Sequence, residues 1–180
     1  MKKKENVTLT IGFDADQISD QLSFKFTGDG GARPMHPTGL FAGEIYFNEG
    51  EILHLEVLGG GNKERFSSFQ VLDCCMVTIP QLSAYSPGVL TRHAPPSPFV
   101  QSIGATCKLP LDFSVDVEYP RPDYRLIKQS WKHTLDVGTT LGRWDLSLVL
   151  TVRIVRGPLM QEEVRVFYFD PEAQVGTGSD

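Results

Sequence analysis

The sequence predicts an all-β fold, a two-sheet antiparallel β-sandwich, from three observations. Between Trp144 and Val155, six apolar side chains recur at every second position, as on a strand with one face in a core. The same alternation returns elsewhere, whereas no stretch keeps a helical period over three turns. Eight or nine such segments without an internal repeat fit two packed sheets, and the pattern leaves jelly-roll and immunoglobulin-like topologies open.

The N-terminal half contains four predicted strands. They are Val7–Phe13, Gln21–Thr27, Glu44–Phe47 and Ile52–Leu58. Gly28–Gly43, with five glycines and two prolines, is predicted to be a loop. The third and fourth strands are predicted to form a tight hairpin in which Gly50 adopts a positive φ. Gly59–Gly61 is predicted to end the fourth strand.

The C-terminal half contains the longer apolar segments. Phe69–Ile79 is apolar on both faces, which predicts a strand covered on each side. Residues 81–110 are predicted to be a long irregular loop because they include five prolines. Further strands are predicted at Phe113–Val117, Leu126–Val137, Trp144–Val155 and Val164–Phe169, the last two joined as a hairpin across Gly157–Pro158. We expect a single domain over 1–180, with flexible tails at 1–6 and 174–180.

Composition narrows the function classes. The net charge of −5, with Lys2–Lys4 as the only basic run, argues against a nucleic-acid partner, which needs clustered cations. No apolar stretch approaches the roughly 18 residues of a membrane span. The polar start lacks the apolar region of a secretory signal, and three cysteines make a poor disulfide framework. These features predict a cytoplasmic protein with free thiols.

Two patterns raise the question of a metal. Asp14, Asp16 and Asp20 resemble a calcium loop, but Ser19 and Lys25 stand where the EF-hand form needs glycine and glutamate. Turn formation by aspartate is the alternative, and another Ca²⁺ or divalent-metal site stays open. Adjacent Cys74 and Cys75 point to opposite faces of a strand and are predicted to be two buried thiols, not ligands of one ion.

His54 and Glu56 lie two positions apart on one strand face. Such a pair suits metal binding or acid–base catalysis, and it suits a polar surface patch equally. No G-x-S-x-G elbow or P-loop is present, so the sequence does not decide whether the protein is an enzyme but favours a non-enzymatic role. No cofactor is predicted.

Two Gly/Pro-rich loops carry a mixture of charged and imidazole side chains. In a sandwich, loops gather at the ends of the sheets and often carry recognition. The candidate residues for a sugar or peptide ligand are Asp29, Arg33, His36, Arg92 and His93. The alternative is that these loops are only solvated connections.

One short motif resembles a known family. Phe167–Phe169, followed by Asp170-Pro171, is similar to the aromatic end of the last strand in PixA/AidA-like bacterial inclusion-body proteins. The opening strand Val7–Asp14 is also similar, and Gly43–Leu58 resembles a degenerate version of a central hairpin. The resemblance implies a bacterial cytoplasmic β-sandwich without known catalysis that is prone to self-association.

The leading functional hypothesis is a non-enzymatic cytoplasmic protein that acts by binding or self-assembly. The apolar strand Val164–Phe169 is the predicted contact between copies in a dimer or larger homo-oligomer. The alternative is a carbohydrate- or metal-dependent ligand-binding domain that uses the loop residues. The third hypothesis is an enzyme centred on His54 and Glu56.

Overall fold

A computed structural model describes residues 5–32, 45–81, 95–101, 105–169 and 172–176. Every regular element in these ranges is a strand. The strands are β1 (Asn6–Asp14), β2 (Ser23–Gly28), β3 (Gly31–Ala32), β4 (Ile45–Asn48), β5 (Ile52–Asn62), β6 (Ser68–Pro80), β7 (Thr106–Lys108), β8 (Phe113–Arg121), β9 (Tyr124–Trp131), β10 (Leu135–Asp136), β11 (Gly142–Arg156), β12 (Gln161–Phe169) and β13 (Glu172–Gly176).

The strands form two sheets, which confirms the all-β, two-sheet architecture. Sheet A has the order β3-β2-β1-β5-β9-β8, with β10 beside β5. Sheet B has the order β4-β13-β11-β6-β7, with β12 beside β11. Most neighbours are antiparallel, but β1 pairs with β5 and β13 pairs with β4 in parallel. Each parallel pair joins strands that are distant along the chain.

The alternation in β11 produces the centre of the core. Its inward side chains, at every second position from Trp144 to Ile154, have no exposed surface. The Trp144 indole N–H donates to the Pro95 carbonyl (2.9 Å), which satisfies the polar atom of the largest buried side chain. The strand and its hairpin partner β12 are confirmed over nine paired positions from Leu148–Phe169 to Arg156–Gln161.

The prediction that Phe69–Ile79 is covered on both faces is wrong. The buried positions are Phe69 and Val71, then Cys74, Met76 and Thr78. The side chains that face the core therefore change once from odd-numbered to even-numbered positions. A β-bulge opposite Thr151/Val152 inserts the extra residue. A bulge that shifts the alternation makes a half-buried strand look apolar on both faces.

The predicted hairpin between Glu44–Phe47 and Ile52–Leu58 is also wrong, although its turn is confirmed. Gly50 has a φ of 73°, and the Glu51 N–H donates to the Asn48 carbonyl (3.3 Å). However, β4 belongs to sheet B and β5 to sheet A. The turn is therefore a corner between the two sheets, and the Glu51 carboxylate fixes it by accepting from the N–H (2.8 Å) and Nδ2 (2.7 Å) of Asn48.

The prediction that Gly59–Gly61 ends a strand is wrong, because β5 continues through all three glycines. The glycines provide space for aromatic rings from other strands. A Cβ on Gly59 would lie 2.6 Å from the Phe69 ring, and a Cβ on Gly60 would lie 2.2 Å from the Tyr124 hydroxyl oxygen. The run is a packing surface, which local sequence does not distinguish from a flexible break.

Candidate assembly surface

The side of β12 that faces away from β11 is an open sheet edge. The Tyr168 N–H donates to the Asp20 carbonyl (2.9 Å), and the Tyr168 carbonyl accepts from the Leu22 N–H (2.8 Å). Both Tyr168 backbone groups thus point away from β11, and the uninterrupted ladder repeats this orientation at every second residue. The backbone N–H and carbonyl groups of Glu162, Val164 and Val166 therefore point to the same side as those of Tyr168, and no described strand pairs with them there.

The outward face of the same strand is apolar. Val164, Val166 and Tyr168 are between 51 and 58% exposed, and Val149 on β11 lies directly opposite Tyr168. An exposed edge with large apolar side chains and unpaired backbone groups is a template for another strand. We call the backbone groups of Glu162–Val166, together with these side chains, the β12 assembly edge.

Arg165 fixes one boundary of this edge. Its side chain is only 13% exposed and points to the inner face of sheet B, where it lies over the Phe167 ring (4.6 Å). Its guanidinium donates to the Gln17 carbonyl (2.6 Å) and to Asp20 Oδ1 (2.7 Å). These bonds hold the 15–20 loop beside β12, and that loop closes the edge at Tyr168 but leaves Val164 and Val166 open.

A polar cleft of about 660 Å³ lies between this loop and the β11–β12 hairpin. Arg156 crosses it and binds Glu163 (2.9 Å), Asp16 (2.9 Å) and the Ala15 carbonyl (2.6 Å). Although burial alone lowers the pKa of Arg156, hydrogen bonds to Glu163 and Asp16 outweigh it and raise that pKa. Arg65 also binds Asp16 (3.0 Å). The cleft is consequently lined by charges that already neutralise one another.

His54 and Glu56 share the outer face of sheet A, as the sequence predicted. His54 Nε2 lies 3.2 Å from Asn6 Oδ1, and Glu56 accepts from the Thr10 hydroxyl (3.2 Å) with Lys128 Nζ at 3.9 Å. Both side chains are half-buried in a row of polar neighbours. A metal or catalytic role for this pair stays a prediction.

Of the five loop residues predicted to bind a ligand, the structure describes only Asp29. The exposed Asp29 accepts from the Asn6 N–H (3.4 Å). Arg33, His36, Arg92 and His93 lie outside the described residues. A sugar- or peptide-binding role for this set stays a prediction.

The three aspartates that resemble a calcium loop have turn and ion-pair partners. Asp14 Oδ1 accepts from the Asp16 N–H (2.8 Å), the geometry of an aspartate turn, and Asp14 Oδ2 accepts from the Tyr124 hydroxyl (2.9 Å). Asp16 and Asp20 bind arginines. Within the described ranges, no group of three or more His, Cys, Asp or Glu side chains is arranged to hold a metal ion.

The adjacent cysteines point to opposite faces of β6. Cys74 is fully buried, and burial, reinforced by the nearby Asp73 charge, raises the pKa of its thiol to about 12. Cys75 lies on the outer face with partial exposure, and burial also raises its pKa. Cys75 is therefore less buried than predicted, and its sequence neighbour is an inert core residue.

No family model and no curated protein matches this chain. In the described part of the chain, no helix is long and apolar enough to cross a membrane. Among solved structures, it is similar to the inclusion body protein PixA from Burkholderia cenocepacia J2315, with 10% identity, a TM-score of 0.42, and coverage of 97% of this chain and 98% of that one. The protein named in this match is of the kind that the Phe167–Pro171 motif resembles.

Proposed function

We propose that the protein acts by self-assembly, in which the β12 assembly edge pairs with the same edge of a second copy. The observation that carries the proposal is the coincidence of unpaired backbone groups and exposed apolar side chains at Val164 and Val166. An antiparallel pair centred on Val164 would join the two B sheets into one continuous sheet.

The backbone supplies most of the affinity of this contact. Glu162, Val164 and Val166 each offer one N–H and one carbonyl, so the two copies would form six hydrogen bonds. On the outward face, Val164 would contact its counterpart and Val166 would lie opposite the partner's Glu162. These are positions at which cross-strand side chains contribute about 0.2–1 kcal/mol each.

The charges on the inner face are compatible with the same register. Pairing centred on Val164 places Glu163 opposite the partner's Arg165 in both halves of the pair. Opposite charges at facing positions favour pairing, whereas like charges oppose it. The 15–20 loop blocks further pairing at Tyr168, so the contact is limited to the Glu162–Val166 segment.

The test is sedimentation equilibrium of three proteins. Val164→Pro removes the outward N–H at the centre of the contact, and proline is tolerated where that N–H faces solvent. Val164→Thr is the matched control because it keeps the N–H and the β-branched shape. We expect dimers or larger species for the wild type and for Val164→Thr, and monomers for Val164→Pro. A monomeric wild type at several hundred micromolar, or an unchanged Val164→Pro assembly, would refute the proposal.

A further inference from the structure

On the inner face of sheet A, side chains are buried in β9 but exposed along most of the neighbouring edge strand β8. In β9, Ile127, Gln129 and Trp131 face the core and are buried. Their partners in β8 point the same way, but Val115 and Val117 are 58 and 50% exposed. Tyr119, further along this face, is 61% exposed. We call the inner face formed by Val115, Val117 and Tyr119 the β8 overhang.

The edge of sheet B below the overhang has an incomplete ladder. Between Cys74 and Thr78, the backbone groups of β6 on this side are hydrogen-bonded by β7 and the residues next to it. The Thr78 N–H donates to the Ala105 carbonyl (2.6 Å), and the Cys74 carbonyl accepts from the Leu109 N–H (2.9 Å). Below the bulge, no described strand pairs with this side of Phe69 and Val71.

Side chains from β9 take the place of a strand there. Gln129, which is 6% exposed, donates to the Phe69 carbonyl (2.9 Å) across the space between the sheets. Arg125 donates to the carbonyls of Phe66 (3.0 Å) and Ser67 (2.7 Å). These β9 side chains reach β6 at a level where no described strand follows it in sheet B. Val115, Val117 and Tyr119 of β8 therefore lie past that edge, whereas Phe113 at the start of β8 packs against the core.

The positive charge of Arg125 is not neutralised by any described carboxylate in this space. Arg156 and Arg165 each bind a carboxylate, whereas no described carboxylate lies within ion-pair distance of Arg125. Its Nε–H is buried without an acceptor in the described part of the chain. Its other neighbour is the Tyr119 ring, at 5.8 Å. A buried cationic donor without an acceptor is costly, so the space favours an incoming carboxylate.

We propose that the space between the β8 overhang and the edge of β6 binds an extended peptide segment of a partner protein. The segment runs beside Val71, leaves the Gln129–Phe69 hydrogen bond in place, packs apolar side chains against Val115 and Val117, and places an aspartate or glutamate on Arg125. Main-chain bonds supply affinity, and the carboxylate and apolar positions supply specificity.

Pairing of β8 with β8 of a second copy is a poorer alternative. The opposite face of β8 carries Asp116 and Glu118, which antiparallel self-pairing about Val117 would place against each other. Pro120 also lacks an N–H for such a ladder. These features protect an edge from self-association. A peptide that has apolar side chains for Val115 and Val117 and a carboxylate for Arg125 is therefore the better match.

The test uses a fluorescein-labelled, end-blocked peptide, Ser-Val-Thr-Val-Glu-Val-Thr-Ser, and the same peptide with glutamine in place of glutamate. Fluorescence polarisation gives the Kd of each for four proteins: wild type, Arg125→Gln, Val117→Asp and Leu159→Asp. Val117→Asp puts a negative charge on a half-exposed position where it does not disturb the core. Leu159→Asp is the matched control because Leu159 is 79% exposed in the β11–β12 turn.

We expect the glutamate peptide to bind the wild type about tenfold more tightly than the glutamine peptide, since one charge-assisted hydrogen bond separates them. Arg125→Gln should remove that difference, and Val117→Asp should weaken both peptides at least about tenfold. Leu159→Asp should match the wild type. Equal affinity for the two peptides, or equal binding by the two aspartate variants, overturns the proposal. So does a Val117→Asp protein that changes only its sedimentation behaviour, because the surface would then take a second copy.

Discussion

The change Gly59→Ala tests whether the three glycines of β5 are a packing surface. The added methyl group would lie 2.6 Å from the Phe69 ring and 2.9 Å from the Phe13 ring, where ordinary contact begins at 3.4 Å. Phe69 packs edge-on against Phe13 (centroids 5.1 Å apart), which stacks on Phe167 (4.8 Å). The rings must therefore move by roughly 0.8 Å in a region where the core has no free space.

The expected change in the free energy of unfolding is the difference between two opposed effects. Overpacking a core by one methyl group costs about 1–3 kcal/mol. Replacing glycine reduces the entropy of the unfolded chain and returns about 0.4–1 kcal/mol. We expect Gly59→Ala to lower the free energy of unfolding by about 1–2 kcal/mol, and Tm by roughly 2–8 °C for a domain of this size.

The assay is urea unfolding followed by tryptophan fluorescence, together with a thermal scan. Gly30→Ala is the matched control, because a methyl group added there would have no atom within 4 Å and the φ of Gly30 is not positive. The control should be neutral or slightly stabilising. If Gly59→Ala is as stable as Gly30→Ala, the glycines do not serve as space for the rings and the reasoning is wrong.

Two further outcomes follow from shifted pKa values. Cys74, buried and with a pKa of about 12, should resist a thiol reagent at pH 8 until the protein unfolds, while Cys75 reacts slowly in the folded state; mass spectrometry of the labelled protein with and without urea distinguishes them. A hydrogen bond from Lys132 (2.7 Å) lowers the pKa of Asp112 below its ordinary 3.8, so its contribution to stability is present above that value and is lost as pH falls through the lower folded pKa. Urea midpoints between about pH 2.5 and 5 should show a shallower acid decline for Asp112→Asn, and an unchanged decline would contradict this assignment.

The candidate site was accessible to sequence reasoning only in part. Val164–Phe169 could be identified as a strand rich in apolar and aromatic residues, and it does form most of the exposed edge. The β8 overhang was not predicted, although Phe113–Val117 was assigned as a strand. Alternation shows that a strand has an apolar face, but it does not show whether the opposite sheet is wide enough to cover that face. Arg125 has no local signal, because its role depends on carbonyls nearly 60 positions away.

The order of the amino acids was enough to show that this protein is built from strands and which side chains of β11 face the core. It could do so because side-chain alternation is a local property of the extended backbone. Three features became clear only from the folded chain: Gly50 turns a corner between sheets, Gly59–Gly61 receives aromatic rings, and certain edges stay open. Each of these depends on which distant strand becomes a neighbour. That choice is made by packing and hydrogen bonding between segments far apart in the chain, as when β4 pairs with β13.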